Sequence, residues 1–185
     1  QKGGYYGTDI GFGLTAQDVV RGPDPSRLML VQAGATVDEV NDCAEELGLS
    51  LRTGGASNGQ TWAGACATGT HGSVLDAGGI QDHIRAVQVV TPSGIFWVEP
   101  HRPVMSPEFV AATGSTIFRD DDVFAACQVA VGAMGFITAM VIECVPIYMV
   151  RNIQKRARIE REDISRLAEG DFCGFSRAFG LNEEP

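Results

Sequence analysis

The sequence predicts an α+β fold in which helices flank a mixed or antiparallel β-sheet. Three observations indicate this class. A helix with clear start and stop signals spans residues 36–48, a hairpin pattern spans residues 83–99, and a strongly β-forming segment spans residues 136–150. Hydrophobic residues make up 44% of the chain, which is sufficient for a packed core.

The first half of the chain contains two short strands around one helix. Residues 28–34 form an apolar run that ends in glycine, which predicts a strand. Thr36 and Glu39 have the spacing of a capping box, and Gly48 provides a stop signal. Between them, one helical face carries the apolar side chains Val37, Val40, Ala44 and Leu47. Residues 49–55 alternate and predict a short strand that runs into a glycine turn.

The second half begins with a hairpin, whose strands are predicted at residues 83–91 and 95–99 around a turn at 92–94. Residues 103–115 indicate a loop with at most a short helix. A helix is expected over residues 120–132, because aspartates occupy its first turn and Gly132 ends it. Residues 136–150 predict a strand with a bend at Pro146, and residues 162–168 a further helix.

Charge and cysteine content exclude several classes of partner. The net charge of −9 and the pI near 4.7 argue against nucleic acid or an anionic membrane surface. The sequence shows no apolar run long enough to cross a membrane and no secretory signal pattern. The five cysteines form no C-x-x-C pair, so we predict no metal site, reduced thiols and a cytoplasmic location.

Residues 54–73 have an unusual composition, and we call them the small-residue run. Sixteen of these twenty residues are Gly, Ala, Ser, Thr or Cys. Small side chains allow the backbone to approach a large flat group, or allow N–H groups to converge on an anion. The run matches neither the Walker A pattern nor the G-x-G-x-x-G fingerprint. Spacing alone therefore leaves two interpretations open: a nucleotide cradle, or a glycine-rich loop that permits tight packing.

His71 is the one imidazole in the small-residue run. It would act as an acid or base only with a partner within reach, and otherwise it is a hydrogen-bonded structural group. Neither His83 nor His101 gives it a metal-ligand spacing. No Ser-His-Asp or Cys-His arrangement can be assembled around it, so the sequence names no catalytic residue.

Three motifs in order resemble a known family. They are "GASNGQTWAGACATGTHGS", then "DHIRAVQVVTPSG", then "VFAACQVAVGAMGFITAMVIECVP". This series resembles the FAD-binding domain of the vanillyl-alcohol oxidase and p-cresol methylhydroxylase flavoproteins. Within that superfamily it is most similar to the aldonolactone, alditol and type-two sterol oxidase branch, and the similarity covers residues 28–150.

The resemblance implies that FAD is the cofactor and that the small-residue run lines it, largely through backbone groups. The residues implied to line FAD are Thr61, Ala65, Thr68, Gly69, His71, Gly72 and Ser73, with the backbone of Ile137 at the adenine end. Asp82 would lie at the start of a strand beneath the site. His71 would then be a structural residue beside the cofactor that needs no proton-transfer role.

The resemblance also implies a domain organisation. Residues 1–150 would be the second subdomain of the FAD-binding domain, and residues 151–185 the start of a substrate or cap domain. The phosphate-binding loop of the first subdomain finds no match in residues 1–13. We therefore expect a fragment cut at both ends, inactive when isolated, whose exposed half-site could self-associate.

Two functions follow. The first is the FAD-binding portion of an oxidoreductase that oxidises a CH–OH group of a sugar, polyol, aldonolactone or sterol. The substrate would be a small molecule bound by the full-length protein. The second is a non-catalytic nucleotide-binding or interaction module that pairs with another chain.

Overall fold

The computed structural model describes residues 24–154 and 156–180. The expectation for residues 1–13 falls outside this part. The chain divides into two compact units, Gln1–Tyr148 and Met149–Pro185.

The first unit is built on a five-stranded sheet. Its strands are β1 (Leu28–Gln32), β3 (Ile84–Thr91), β4 (Gly94–Glu99), β5 (Thr116–Arg119) and β6 (Phe136–Glu143), in the order β1-β6-β3-β4-β5. All neighbours are antiparallel except β4 and β5, which are parallel. Strands β2 (Leu49–Ser50) and β7 (Val145–Pro146) form a separate antiparallel pair. The predicted α+β class with a mixed sheet is confirmed.

Four helices of the first unit flank this sheet: α1 (Val37–Glu46), α2 (Trp62–Ala67), α3 (Pro107–Ala112) and α4 (Asp121–Gln128). The predicted capping box of α1 is present, because the Thr36 side chain accepts from the Glu39 N–H and the Glu39 carboxylate accepts from the Thr36 N–H. Capping fixes the first turn of α1 and so directs its apolar face onto the sheet.

Two cores cover the two faces of the sheet. Alternate strand residues such as Val31, Ile84 and Met140 pack with α1, α2 and α4. Their neighbours pack around Trp97 and Met105 with α3. This period-two division is the pattern expected when both faces of a sheet are buried. Helix α2, and with it the small-residue run, therefore lies on the face of the sheet that carries Val31, Ile84 and Met140.

Several boundaries differ from the prediction. Asp82 lies in a 3₁₀ helix, Ile80–His83, that precedes β3, so it is not the first residue of a strand. Helix α4 ends at Gln128, four residues before the expected glycine stop, because the chain turns there with left-handed backbone at Val131 and Gly132. The segment predicted as one strand divides into β6 and β7.

The second unit contains two short helices, α5 (Arg161–Ala168) and α6 (Phe172–Ala178). The sequence predicts α5 but misses α6. Helix α6 begins with an Asp171 side chain that accepts from the Gly174 N–H at 2.8 Å. Phe175 and Phe179 contact each other with ring centroids 4.8 Å apart.

Candidate functional site

Helix α2 presents a buried face and a small polar face. Its large side chain, Trp62, is fully buried, and its backbone N–H donates to the Ala35 carbonyl, which ties the helix start to the loop after β1. Thr61 caps the helix by accepting from the Gly64 N–H at 3.3 Å. Thr61, Gly64 and Thr68 are exposed and follow a spacing of three and four residues. The outward face of α2 is therefore one on which no bulky side chain shields the backbone.

The loop after α2 is held in a compact fold by its own backbone. Gly69 adopts a left-handed conformation with φ +69°. The Thr70 N–H donates to the Ala65 carbonyl at 3.0 Å, and the Thr70 carbonyl accepts from the Ile80 N–H at 3.0 Å. His71 pairs with Gly79 in an isolated antiparallel bridge. These bonds fix the position of residues 68–73 relative to the core.

Two glycines of the small-residue run lie in close contacts. A Cβ on Gly72 would stand 2.4 Å from the Gly54 carbonyl oxygen, and a Cβ on Gly55 would stand 2.6 Å from the Thr70 methyl group. Gly72 therefore brings the two ends of the run together, backbone against backbone. The Thr53 hydroxyl beside it would stand 2.9 Å from that same Cβ.

His71 is exposed, and its Nδ1 donates to the Gly72 carbonyl at 2.9 Å, which places the lone pair on Nε2 when the ring is neutral. Its hydrogen bond to Gly72 and its bridge to Gly79 both involve backbone of its own loop. The geometry gives His71 a loop-shaping role and no second group that would orient it as an acid or base.

The residues predicted to line a cofactor fall into three groups. Exposed side chains come from Thr61, Thr68, His71 and Ser73, while Gly69 and Gly72 are half-buried; all six lie on α2 or its following loop. Ala65 is 1% exposed and packs in the core, so its side chain faces away from the outward face of α2. Ile137 is half-buried on β6, opposite Val89 of β3. The structure thus has seven of the eight on one helix–loop segment, residues 61–73, and six of these seven lie outside the core.

The turn between α4 and β6 also contacts the small-residue run, and sequence reasoning did not include it. The Val131 N–H donates to the Ala67 carbonyl at 3.1 Å. The Val129 side chain lies 3.7 Å from the position that a Cβ on Gly69 would occupy. Gly132 and Gly135, both with positive φ, were the available signal for such a turn.

A polar cavity of about 290 Å³ opens at the other end of the run. Its lining includes Thr53, His83, Arg85 and Glu143. His83 Nδ1 donates to the Glu143 carbonyl at 2.9 Å, and the Arg85 Nε pairs with the Glu143 carboxylate at 2.7 Å. Burial lowers the pKa of His83, partly opposed by its bond to Glu143. The sequence did not indicate this environment of His83, because its hydrogen-bond partner Glu143 lies 60 residues further along the chain.

Two polar atoms near the run are buried without a hydrogen-bond partner within residues 24–154 and 156–180: the Thr53 hydroxyl oxygen and the Trp62 indole nitrogen. Buried unpaired groups are costly, and they mark places where a further group can bind. Within the same described residues no cluster of three metal-ligating side chains occurs, and no helix there has the length and apolarity of a membrane span.

Comparisons with known proteins give a consistent result. A family profile described as "FAD binding domain" matches residues 14–98. A Neurospora crassa protein assigned as a D-arabinono-1,4-lactone oxidase is 31% identical over 65% of this chain and 19% of its own length. A D-arabinono-1,4-lactone oxidase of Debaryomyces hansenii is 23% identical over 69% of this chain and 20% of its own. The chain thus spans about a fifth of the length of these curated relatives.

Among solved structures, an alkyldihydroxyacetonephosphate synthase superposes on 70% of this chain and 21% of its own, with a TM-score of 0.49 and 20% identity.

The residues present fit FAD on physical grounds. The outward face of α2 offers threonine hydroxyls and uncovered backbone, which suits a flat ring system and a pyrophosphate. The Gly72–Gly54 contact admits no side chain between the ends of the run. The Thr53 hydroxyl has hydrogen-bonding capacity that the described residues leave unused.

Proposed function

We propose that the chain, whose residues 14–98 match the profile of an FAD-binding domain, forms the FAD-binding part of an oxidoreductase that oxidises a CH–OH group. The substrate class we propose is a sugar, polyol, aldonolactone or sterol. The two curated relatives, both named as D-arabinono-1,4-lactone oxidases, support the aldonolactone within that range. The observation that carries the proposal is the outward face of α2, which is free of bulky side chains and continues into the closely packed loop 68–73.

Bound FAD would supply the redox chemistry by accepting a hydride from the carbinol carbon of the substrate. Thr61 and Thr68, at the two ends of α2, would offer hydroxyl groups to it. Gly69 and Gly72 would keep the backbone close to it, and Ser73 would complete the loop. In this assignment Ala65 does not contact FAD, and its core contacts hold α2 against the sheet.

His71 would stabilise the conformation of the loop 68–73 in this cofactor-binding segment. Its Nδ1–H···O=C bond to Gly72 spans adjacent residues, so the ring stiffens the loop next to the Gly72–Gly54 contact. The proposed chemistry needs no proton from His71. The groups that select the substrate and move its hydroxyl proton would lie outside α2 and the loop 68–73.

The cysteines support a reducing compartment, and we propose the cytoplasm. Cys43, Cys66, Cys127 and Cys144 are buried, and none of them forms a disulfide within the described residues. Burial raises the pKa of Cys66 and Cys127, and raises that of Cys144 to about 12. Thiols held in this protonated form are poor nucleophiles and act as small apolar core groups.

The experiment that tests the function is anaerobic reduction of the flavin in a full-length protein that contains this chain, incubated with FAD, because the chain alone is expected to be inactive. We expect D-arabinono-1,4-lactone, or a polyol or sterol offered in parallel, to bleach the visible flavin band. Air should then restore the band if oxygen is the acceptor. The Gly72→Ala variant should retain less flavin than a matched Gly59→Ala variant, because Gly59 has open space around it. A protein that binds FAD but is reduced by none of the three classes would contradict the proposed CH–OH chemistry.

A further inference from the structure

The polar cavity of about 290 Å³ at the start of β3 has a lining whose charges balance. Three arginines and three carboxylates contribute to it: Arg27, Arg52, Arg85, Asp76, Asp82 and Glu143. None of the eight residues predicted to line FAD belongs to this lining. The volume is at the lower end of the range for small-molecule sites, about 300–1,000 Å³, so the cavity has room for one small molecule.

His83 supplies a buried hydrogen-bond acceptor to this cavity. The residue is 5% exposed, and its Nδ1 donates to the Glu143 carbonyl at 2.9 Å. The neutral ring then has a lone pair on Nε2, and Nε2 makes no hydrogen bond with a described residue. Burial lowers the pKa of His83, which keeps the ring neutral and this acceptor available near pH 7. An acceptor so enclosed and unpaired calls for a donor from a bound molecule.

Arg52 and Asp82 are exposed groups of the same lining. Arg52 takes part in none of the ion pairs within residues 24–154 and 156–180, whereas Arg85 is held by the Glu143 carboxylate at 2.7 Å. Beyond the effects of burial and of the bond to Glu143, the charges of Arg85 and Arg52 lower the pKa of His83 and that of Asp82 raises it. Arg52 and Asp82 therefore lie near the imidazole, one as a donor and the other as an acceptor.

This combination of groups discriminates between classes of ligand. Sulfate or a carboxylate accepts hydrogen bonds but has none to donate to His83 Nε2, and the balanced lining gives an anion no net attraction. An ammonium group can donate to Nε2 but cannot accept from Arg52. A hydroxyl group both donates and accepts, so a molecule with several hydroxyls satisfies His83, Arg52 and Asp82 together.

We propose that this cavity binds a small uncharged polyhydroxy compound, with one hydroxyl donating to His83 Nε2 and others pairing with Arg52 and Asp82. The site goes beyond the proposed function, because its occupation needs neither flavin nor a redox step. Binding would give the buried Nε2 the donor that the described residues do not supply.

The test is a titration with sorbitol, followed by saturation-transfer NMR, of a full-length protein that contains this chain, with FAD and without it. Arg52→Met removes the unpaired guanidinium from an exposed position. His83→Phe removes both ring nitrogens but keeps an aromatic ring beside Trp62, where the ring centroids are 6.5 Å apart. Arg102→Met is the matched control, because Arg102 is exposed and does not line the cavity. Melting temperatures establish that each variant is folded.

We expect the sorbitol Kd in the FAD-free protein to rise about tenfold in Arg52→Met and in His83→Phe, as for loss of one hydrogen bond to a charged or buried group. It should stay within about twofold in Arg102→Met. Sodium sulfate should displace no more sorbitol than sodium chloride of equal ionic strength does.

Three results would overturn the proposal: no saturation transfer to sorbitol, an unchanged Kd in Arg52→Met, or displacement of sorbitol by sulfate. If His83→Phe does not fold, the Arg52→Met result decides. Failure here is distinct from failure of the proposed function, because flavin reduction is measured separately and sorbitol binding is followed without FAD.

Discussion

The Cα of Gly72 lies so close to the Gly54 carbonyl that a Cβ on Gly72 would stand 2.4 Å from the carbonyl oxygen. This contact joins the start and the end of the small-residue run. It involves backbone on one side, so a flexible side chain cannot move away to relieve it. The loop that carries His71 and Ser73 depends on Gly72 being a glycine.

We expect Gly72→Ala to destabilise the protein by about 2 kcal/mol, as in an overpacked core, and so to lower its melting temperature by about 4–8 °C. Calorimetry of the variant checks this. Gly59→Ala is the matched control in the same run, because nothing lies within 4 Å of its Cβ position. Equal melting temperatures for the two variants would contradict the close contact.

Glu99 forms the most enclosed charge network among the described residues. Its side chain is fully buried and accepts from the Val104 and Met105 N–H groups at 2.9 and 2.8 Å and from the Arg119 Nε at 2.7 Å. We expect Glu99→Ala to cost about 3–5 kcal/mol, because it leaves buried donors and a partly buried cation unpaired.

Denaturant unfolding measures this cost, and Glu143→Ala is the comparison. Glu143 pairs with Arg85 at the same distance, but both side chains are about a third exposed, so that pair should contribute about 1 kcal/mol or less. A loss for Glu99→Ala no larger than that for Glu143→Ala would show that burial of Glu99 does not matter.

His83 makes stability depend on pH. Burial lowers its pKa in the folded protein, while the unfolded chain keeps the ordinary value of about 6.5. The unfolded state therefore binds a proton more readily, so stability is fully present above pH about 6.5 and is lost as pH falls toward the lower folded pKa. We expect unfolding free energies measured from neutral to mildly acidic pH to fall less steeply in His83→Gln. An unchanged slope in His83→Gln would refute the assignment.

One of the five cysteine thiols should react much faster than the other four with a thiol reagent. Cys173 is exposed, whereas Cys43, Cys66, Cys127 and Cys144 are buried. We expect one thiol to react quickly with Ellman's reagent in the native protein and all five to react in denaturant. Cys173→Ser should remove the fast phase. Two or more fast thiols in the native protein would mean that the core thiols are accessible.

The elements with local signals were predicted well. The capping box at Thr36 and the hairpin around residues 92–93 depend on residues adjacent in sequence, and both are present. Strand β5 was missed because it has only four residues, of which Ile117 alone is half-buried, and its parallel pairing with β4 is a tertiary effect. No alternating pattern marks such a strand.

The sequence indicated the segment that carries the candidate site, but it did not indicate the other segments that contact it. The Gly-rich composition indicated where the backbone is uncovered, and seven of the eight predicted residues lie on one segment, residues 61–73. The contact between the α4–β6 turn and the small-residue run could not be predicted, because the hydrogen bond from the Val131 N–H to the Ala67 carbonyl becomes visible only in three dimensions. Whether the eight residues contact FAD stays a prediction.

The most direct test of the central claim is an amide NMR spectrum of the isotope-labelled protein during titration with FAD, because it also detects weak binding residue by residue. We expect the largest shift changes at residues 61–73 and in the turn containing Val131, with little change in α3 and β5 on the far side of the sheet. Shift changes confined to other regions, or none at the highest FAD concentration, would contradict the assignment of the small-residue run as an FAD-binding wall.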